Sequence, residues 1–340
     1  MSTHTPTLTL EYVKTIGIVN NASNGRGFAN PYDTAISKAG TIFVLNRCDP
    51  ARAAAMRVGV CTLDEEYLGE FSSGYGSGDG QLVWPVAMDF DSQENLYVTD
   101  EQNHRVTVYD AGWNYRVTWG FFGTGDGEFN GPAGIAIDSE DIIYVVDQHN
   151  SRVQKFTAQG EYILQWGETG DGAGQFNLPW GIAVDSQNNV YIADWRNDRI
   201  QKFSPDGRFV AKFGESGNGD SQLHRPSSVA VDSVGYIYVA DWGNERVQVM
   251  GSDGTVLLGL RGQATLSAWA KEFLDANVDE KTPREDANLV PQLPSHLDTP
   301  YLISAQTEPY FWGPAVNLDV EGRLYVTEAS RHRIQVYQRV

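Results

Sequence analysis

The stretch Ala193–Phe203, ADWRNDRIQKF, is one of three similar segments in this chain. A close relative, VDQHNSRVQKF, occupies Val146–Phe156, and another, ADWGNERVQVM, occupies Ala240–Met250. The three copies begin 47 residues apart. A constant period of this size is typical of a repeat architecture, in which each copy forms one structural unit that packs against its neighbours.

The repeat extends over most of the chain. An aromatic residue marks each of six units, at Phe43, Tyr97, Tyr144, Tyr191, Tyr238 and Tyr325. Each unit contains short runs rich in Val, Ile, Tyr and Phe between Gly, Pro, Asn and Asp, which is typical of strands and turns. The first two runs are almost continuously apolar, so both of their faces must be covered. These features predict an all-β fold, a six-bladed β-propeller whose four-stranded sheets pack face to face around an axis.

The two ends of the chain predict how the ring closes. The sixth unit ends with RIQVYQRV at Arg333–Val340 and lacks a fourth strand. The segment Glu11–Gly17, EYVKTIG, is similar to EYILQWG at Glu161–Gly167, which is the fourth strand of the third unit. We therefore expect the N-terminal strand to complete the last blade, so that residues 1–340 form a single propeller domain.

The motif Pro-x-Gly-Ile-Ala-Val-Asp, followed by Val-Tyr-Ile-Ala-Asp and Asn-x-Arg-Ile-Gln, resembles the NHL repeat family. The resemblance covers the chain except for an insertion after the fifth unit. It implies the propeller fold. Such propellers serve as protein-binding or RNA-binding modules and also as enzymes, including peptidyl-amidoglycolate lyases, to whose catalytic core this chain has a distant resemblance. Fold does not imply function, so a function must be argued from the site.

The composition limits the classes of partner. The formal net charge is -19 over 340 residues, and without a basic patch the chain has no source of affinity for nucleic acid. No apolar run is long enough to span a bilayer, and MSTHTPTLTLEYVK at the N-terminus lacks the pattern of a secretion signal. We therefore expect a cytoplasmic protein with no membrane partner. Cys48 and Cys61 could form one bridge, although free thiols suit a reducing cytosol better.

An acid and an arginine recur in nearly every unit. The acids end the second strand and the arginines open the third, which suggests that they fix the intervening loop through hydrogen bonds and ion pairs. A cation site near the axis is the alternative. The acids are Asp100, Asp147, Asp194, Asp241 and Glu328, and the arginines are Arg57, Arg105, Arg152, Arg199, Arg246 and Arg333.

The places where the units differ are better guides to function. The loop between strands two and three and the linker into the next blade lie on one face, here called the top face. Two insertions map to it: one between Asn46 and Arg57, and a longer one at residues 262–302 before the sixth unit. Part of the longer insertion has apolar residues at helical spacing. We expect it to form a lid-like segment over the channel mouth, since long loops are usually functional; protection of an edge, or dimerisation, is the alternative.

Unit one departs furthest from the repeat. It has Asp33, preceded by Tyr32, where the innermost strands of the other units begin with small residues, and it replaces the repeat acid by Asn46, followed by Arg47. A lone carboxylate near the axis is costly unless it is paired. Two interpretations remain open. Asp33 pairs with Arg47, Arg52 or Arg57 in a structural role, or it serves a ligand as general base or cation ligand with Tyr32, His332 or His104 nearby.

The top face also collects histidine and tryptophan. The histidines that map there are His104, His149, His224, His296 and His332, and the tryptophans are Trp84, Trp180, Trp195, Trp242 and Trp312. Three histidines from different blades can bind a divalent metal such as zinc, so His104, His224 and His332 are candidate ligands; calcium is the other candidate ion. The lyases that the fold resembles use channel histidines. Solvent-facing loop histidines are the plainer alternative.

These observations predict a small-molecule site at the top channel mouth near blades 6 and 1, under the inserted segment. Asp33, Tyr32, Arg47 and His332 are the candidate catalytic residues, and if the protein is an enzyme we expect a lyase or a hydrolase. The ligand-binding candidates are Asn46, His149 and the tryptophans Trp84, Trp180, Trp195, Trp242 and Trp312. The alternative is a non-catalytic interaction module that uses exposed tryptophans to bind a protein partner.

Overall fold

The computed structural model describes residues 8–20, 22, 24–47, 53, 55–72 and 74–340, and it consists of six four-stranded antiparallel sheets around an axis. From the axis outward, blade 1 consists of Pro31–Ile36, Ile42–Asn46, Arg57–Cys61 and Tyr67–Phe71, and blade 2 of Pro85–Phe90, Leu96–Asp100, Arg105–Tyr109 and Tyr115–Trp119. Blade 3 consists of Pro132–Ile137, Ile143–Asp147, Arg152–Phe156 and Tyr162–Trp166, and blade 4 of Pro179–Val184, Val190–Asp194, Arg199–Phe203 and Phe209–Phe213. Blade 5 consists of Pro226–Val231, Ile237–Asp241, Arg246–Met250 and Val256–Leu260, and blade 6 of Pro314–Leu318, Leu324–Glu328, Arg333–Arg339 and Leu10–Ile16.

The predicted closure is confirmed. Leu10–Ile16 pairs antiparallel with Arg333–Arg339 as the outermost strand of blade 6, from Leu10 opposite Arg339 to Ile16 opposite Ile334. Because the first described strand completes the sheet of the last blade, the ring is closed by backbone hydrogen bonds between these two strands.

The apolar core lies between neighbouring blades. All six of the described second strands are buried along their whole length, as the continuous apolar runs predicted. Two glycines let the innermost strands approach closely: a Cβ at Gly134 would lie 2.5 Å from the carbonyl oxygen of Trp180, and one at Gly181 would lie 2.6 Å from that of Ser227. Glycine in this register therefore allows the backbones of neighbouring innermost strands to come into direct contact at the axis.

A buried aspartate organises the top of each typical blade. In blade 4, Asp194 accepts hydrogen bonds from the amide of Asn177 at 2.8 Å, the side chain of Asn197 at 2.8 Å and Nε of Arg199 at 2.9 Å. Arg199 in turn donates to the carbonyl oxygens of residues 171, 172 and 175 in the incoming linker. One carboxylate thus ties together the linker, the loop and the third strand, which confirms the structural interpretation of the repeated acid and arginine.

The insertion before blade 6 contains three helices: α1 at Ala268–Ala276, α2 at Val278–Glu285 and α3 at Pro300–Gln306. Short 3₁₀ turns occur at Gln148–Asn150, Trp195–Asn197, Trp242–Asn244, Ser295–Leu297 and Ala329–Arg331, and a parallel pair of two-residue strands joins Glu215–Ser216 to Gln222–Leu223. No helix in the described part of the chain has the length and apolar character needed to cross a membrane.

The closing strand offers a direct test of ring stability. Ile16 is fully buried, whereas Val13 on the same strand is 41% exposed. We expect Ile16→Ala to lower the free energy of unfolding by about 2–5 kcal/mol, because it leaves a cavity at the closing joint. Val13→Ala is the matched control, with an expected change within about 0.5 kcal/mol. Equal losses in urea denaturation would contradict this account of closure.

The buried aspartate network makes a second prediction. Arg199→Ala leaves the buried Asp194 carboxylate without its cation, and removal of one partner of a buried pair costs about 3–5 kcal/mol. Arg208→Ala removes an exposed partner of Asp206 in the same blade, where a loss of about 0–1 kcal/mol is expected. Urea denaturation of both variants measures the difference, and a small effect of Arg199→Ala would show that the network is dispensable.

Candidate functional site

A cavity of about 340 Å³ lies on the propeller axis, between the innermost strands of the blades. These strands run from the top face downward, so the position of a residue along the strand sets its depth. The residues that line the cavity at different depths are mostly small and apolar. The exceptions with hydrogen-bonding or aromatic side chains are Tyr32, Asp33, Asp89, Trp180, Trp195, Ser227, Ser228, Trp242 and Asn317.

Asp33 lines this cavity and is held by neighbouring blades on both sides. Its Oδ2 accepts a hydrogen bond from the amide of Met88 in blade 2 at 2.9 Å, and its Oδ1 accepts one from the side chain of Asn317 in blade 6 at 2.6 Å. In blades 3 and 4 the same register is glycine, and neighbouring backbones come into direct contact there. The Asp33 side chain instead bridges the strands while one side of it faces the cavity.

The arginine partners expected for Asp33 have other contacts. Arg47 donates to Glu101 at 2.9 Å, and Arg57 donates to the carbonyl oxygens of Ala22 and Gly27. Arg52 lies outside the described residues. The interpretation that Asp33 forms a structural ion pair with Arg47 is therefore not supported by the geometry, and amide donors take the place of the arginine.

Asp89 and Asn317 were missed in the sequence and belong to the same polar cluster. Asp89 Oδ2 accepts a hydrogen bond from the amide of Ile137 in blade 3 at 2.8 Å. Both residues occupy the register that is alanine in the other four blades, at Ala35, Ala136, Ala183 and Ala230. That substitution of a polar residue for alanine, VAMDF in blade 2 and PAVNL in blade 6, was the available signal.

The electrostatics of the cavity favour protonation of its carboxylates. Burial raises the pKa of Asp33 to about 7, against the opposing effect of the hydrogen bonds from Met88 and Asn317, and the neighbouring charge of Asp89 raises it further. Burial also raises the pKa of Asp89 to about 6. Desolvation is the leading cause in both cases, since it penalises the charged form. Both groups thus exchange protons near neutral pH, as acid–base catalysis requires.

Aromatic side chains narrow the top of the cavity. In a ring of six blades, blade 1 lies opposite blade 4, yet the ring of Tyr32 from blade 1 lies 6.4 Å from that of Trp180 from blade 4. Trp195 lies 6.4 Å from Trp180, and Trp242 of blade 5 also lines the cavity. These four aromatic side chains line the upper part of the channel.

Several other predicted residues lie away from the cavity. Trp84 faces the guanidinium of Arg47 at 5.1 Å, and Trp312 packs against Tyr301 and Arg331. Arg47 also lies 4.6 Å from the ring centre of Tyr32, so it supports the back of a lining residue. His149 is exposed in the top loop of blade 3.

Asn46 is completely buried and does not line the cavity. Its side chain accepts a hydrogen bond from the amide of Ala29 at 2.7 Å and donates to the carbonyl oxygens of Val44 and Arg57. This is the position of the repeat aspartate, so Asn46 performs the same loop-fixing task without a charge. Its predicted role in binding a ligand is replaced by a structural one.

The predicted metal ligands His104 and His332 fasten adjacent blades. Each histidine has a positive φ, and its Nδ1 accepts a hydrogen bond from a backbone amide in the linker of an adjacent blade. The donor is Gly131 for His104, at 3.1 Å, and Asn30 for His332, at 2.9 Å. Asp198 and Glu245 occupy the same register as these histidines in their own blades. Their carboxylates accept hydrogen bonds from the backbone amides of Arg225 and Gly313, respectively. We call these four side chains the linker clips. The chemistry they share is that of a hydrogen-bond acceptor.

His224, the third proposed ligand, lies in the linker between blades 4 and 5, with its Nδ1 3.7 Å from Asp198. The three histidines thus have separate environments in separate blades. Among the described residues there is no group of three or more His, Cys, Asp or Glu side chains arranged to hold a metal ion. The geometry gives no support to a zinc site made of His104, His224 and His332.

The insertion differs from the expected lid. Trp269 of α1 is buried against Phe28 at the outer joint of blades 6 and 1, and its indole donates to the carbonyl oxygen of Glu65. The helix α3 lies beside the top loops of blades 5 and 6, where Arg331 donates to the carbonyl oxygen of Ser304. In the described part of the chain, no residue of 262–302 lines the axial cavity. The apolar stripe of α1 packs on the outer joint of blades 6 and 1 and does not cover the channel mouth.

Of the two cysteines, Cys61 is buried in the core between blades 6 and 1, and burial raises the pKa of its thiol to about 12. Cys48 lies outside the described residues.

Comparison with known proteins supports the fold assignment. The NHL repeat family matches residues 129–156, 176–203 and 223–250, which are parts of blades 3, 4 and 5. No curated protein matches the sequence.

Solved structures are similar over nearly the whole chain. A protein of unknown function from Bacteroides thetaiotaomicron is 18% identical with a TM-score of 0.62, and the match covers 98% of this chain and 76% of that one. Virginiamycin B lyase from Staphylococcus aureus is 10% identical (TM-score 0.58; 97% and 99% covered). A gluconolactonase from Xanthomonas campestris is 14% identical (TM-score 0.56; 92% and 87% covered). At these identities the similarity shows the fold.

The raised pKa of Asp33 predicts a dependence of stability on pH. Between about pH 4 and pH 7 the folded chain keeps a proton on Asp33 that the unfolded chain has lost, so the free energy of unfolding falls as the pH rises through this range. In Asp33→Asn the fall between pH 5 and pH 8 should be smaller by about 2–3 kcal/mol. Urea denaturation at both pH values measures it.

Asp253→Asn, in an exposed turn, is the matched control and should keep the pH dependence of the unsubstituted protein. An identical pH dependence in Asp33→Asn and the unsubstituted protein would show that Asp33 is ionised throughout this range.

Proposed function

Starting from a six-bladed propeller that carries NHL repeats, we propose that this protein binds a small organic molecule in the axial cavity and acts on it by general acid–base catalysis through Asp33. The observation that carries the proposal is the convergence of Asp33, Asp89 and Asn317, from three blades, in an otherwise mostly apolar cavity. An apolar pocket with a few converging polar groups and shifted pKa values is the usual form of an active site.

The geometry suits Asp33 to the role of a base. Its two oxygens are fixed by Met88 and Asn317, so the orientation of the carboxylate is set before a ligand arrives. A pKa of about 7 leaves a substantial ionised fraction at neutral pH while making the ionised form a stronger base than an ordinary carboxylate. The cavity volume of about 340 Å³ is at the lower end of the range for small-molecule sites.

Two reaction classes agree with one positioned base. In ester hydrolysis, the Asp33 carboxylate takes a proton from water, the oxygen of that water bonds to the carbonyl carbon, and the acyl–oxygen bond breaks as the proton passes to the leaving alkoxide. In an elimination, the Asp33 carboxylate takes a proton from one carbon, and the electrons of that C–H bond form a double bond to the neighbouring carbon. The bond from that neighbouring carbon to the ester oxygen breaks, so the acyl group of the ester leaves as a carboxylate. The lyase and gluconolactonase among the structural neighbours make these two classes worth testing, by analogy of fold alone.

The activity test uses esters of different charge. Acetylcholine is cationic, glucono-1,5-lactone is neutral and acetylsalicylate is anionic. Hydrolysis of any of the three, or elimination from either of the first two, releases a carboxylic acid that a pH-stat records. We expect kcat/KM for an accepted ester to rise with pH to a plateau above about 7, as Asp33 ionises. Asp33→Asn should lower kcat by about 10²–10⁴-fold, and Asp253→Asn should leave it unchanged.

Unchanged turnover in a folded Asp33→Asn variant would rule out Asp33 as the base. No acid release above the protein-free rate from any ester, together with binding in the cavity, would favour a binding protein without catalysis.

A protein-interaction function is the alternative, and one surface feature favours it. Phe121 and Phe122, in the linker between blades 2 and 3, are 62% and 65% exposed, and Trp84 and Trp242 are also partly exposed on the top face. Exposed aromatic side chains are frequent anchors in protein interfaces. Of the tryptophans proposed for this role, Trp195 is half-buried beneath Arg225 and lines the cavity, which suits it better to a small ligand.

A further inference from the structure

We infer that the ligand of the axial cavity is an organic cation, an amine or quaternary ammonium of roughly the size of choline to phenethylamine. This inference rests on the proposed function, because it names the chemical class that the same cavity selects. It is carried by three features of the lining residues: the sign of their charges, their aromatic faces and their arrangement along the axis.

The charged groups that line the cavity are all acidic. In the part of the chain that the structure describes, the lining includes Asp33 and Asp89 but no lysine, arginine or histidine. A cation entering the cavity therefore meets opposite charge, whereas an anion would approach two carboxylates in a site of low dielectric constant. The net charge of -19 adds a long-range attraction for cations.

The upper part of the cavity is lined by aromatic side chains. Tyr32, Trp180, Trp195 and Trp242 come from blades 1, 4 and 5, with 6.4 Å between the rings of Tyr32 and Trp180 and 6.4 Å between those of Trp180 and Trp195. The face of an aromatic ring attracts a cation through its quadrupole, and cages of such rings recognise quaternary ammonium groups. An inorganic cation would gain little from these rings, which favours an organic one.

The arrangement along the axis fits a ligand with a charged head and an apolar body. Tyr32 and Trp180 occupy the second position of their strands, Asp33 the third and Asp89 the fifth, so the aromatic residues lie above the carboxylates. Between them the wall consists of small apolar residues such as Gly134, Gly181 and Ala183. A cation can be held by rings and carboxylates at once while its carbon atoms contact this wall.

The arginines around the mouth do not cancel this preference. Arg47 is neutralised by Glu101 at 2.9 Å and lies behind Tyr32. Arg196 and Arg225 are exposed and lie over the ring of Trp195 at 5.6 and 5.0 Å. Solvent and salt screen exposed charges much more than buried ones, so the carboxylates in the cavity dominate the field that a bound ligand experiences.

Binding of a cation should release protons. Asp33 faces Asp89, Asn317, the amide of Met88 and Thr34, and its pKa of about 7 means that part of the population is protonated at neutral pH. A bound cation stabilises the ionised form and lowers that pKa. Affinity for a cation should therefore rise up to tenfold per pH unit below pH 7 and level off above it.

The test is isothermal titration calorimetry at pH 8 with matched probes. Choline and its neutral isostere 3,3-dimethylbutan-1-ol form one set, and phenethylamine, 2-phenylethanol and phenylacetate form another. We expect each cation to bind at least tenfold more tightly than its neutral counterpart and phenylacetate to bind most weakly. Titration in buffers of different ionisation enthalpy at pH 6.5 should show proton release for the cations and none for the alcohols.

Variants locate the bound probe. Asp33→Asn and Trp180→Leu should each lower the affinity for choline at least tenfold, Trp180→Phe should retain most of it, and Asp253→Asn should retain all of it. If Asp33→Asn does not fold, the proton release and the pH dependence of the unsubstituted protein test the same carboxylate.

Three outcomes would overturn the inference, and they separate it from the proposed function. Tighter binding of the alcohols or of phenylacetate, lost in Trp180→Leu, would leave the cavity a ligand site but reject a cation as its ligand. Stoichiometric binding of Ca²⁺ or K⁺, lost in Asp33→Asn and unaffected by Trp180→Leu, would replace the organic cation by an inorganic one. Binding of no probe at all would count against the small-molecule site itself.

Discussion

The propeller depends on a buried carboxylate at the top of five blades, supplied by Asp100, Asp147, Asp194, Asp241 and Glu328. Asp147, Asp194 and Asp241 each accept an amide from the incoming linker and side-chain donors from the loop and the third strand. A buried charge is tolerated only when it is saturated with donors, so the position fixes the geometry of every segment that supplies one. The sequence repeat that first identifies the fold is the repeat of these donors. Blade 1 keeps the geometry with the neutral Asn46, and blade 6 keeps it with Glu328 and Arg333.

The top loops are held by this network, and the polar departures from the repeat that line the cavity lie on the innermost strands. There the side chain in one register decides how closely neighbouring blades approach: Gly134 and Gly181 allow backbone contact, whereas Asp33 and Ser228 bridge to the next strand by hydrogen bonds. The carboxylates at the axis are therefore part of the packing between blades as well as the polar lining of the cavity. Their cost in desolvation is the physical origin of their raised pKa values.

Much of this was readable from the sequence, for definite reasons. Six blades and closure by the first strand followed from period and strand similarity, and Asp33 was visible because it broke the repeat. Asp89 and Asn317 also depart from the repeat, in the register where the other four blades have alanine. The prediction that His104 and His332 bind a metal rested on histidines from different blades meeting at the top face. Their equivalence to Asp198 and Glu245 shows instead that the position needs a hydrogen-bond acceptor. The insertion lies where Trp269 is buried, at the outer joint of blades 6 and 1. The spacing of apolar residues in the insertion predicts a helix but does not specify the surface on which that helix packs.

The joint between Leu10–Ile16 and Arg333–Arg339 also has a consequence for how the chain folds. The other strands in the described part of the chain pair with neighbours close in sequence, so five blades can form in order during synthesis. Leu10–Ile16 is synthesised before all of them and must wait for Arg333–Arg339. Contacts between residues so far apart in sequence are slow to form, because their loop entropy is lost before any packing is gained. The open ring, with blade 6 incomplete and one strand edge bare, is therefore the species most exposed to aggregation during folding.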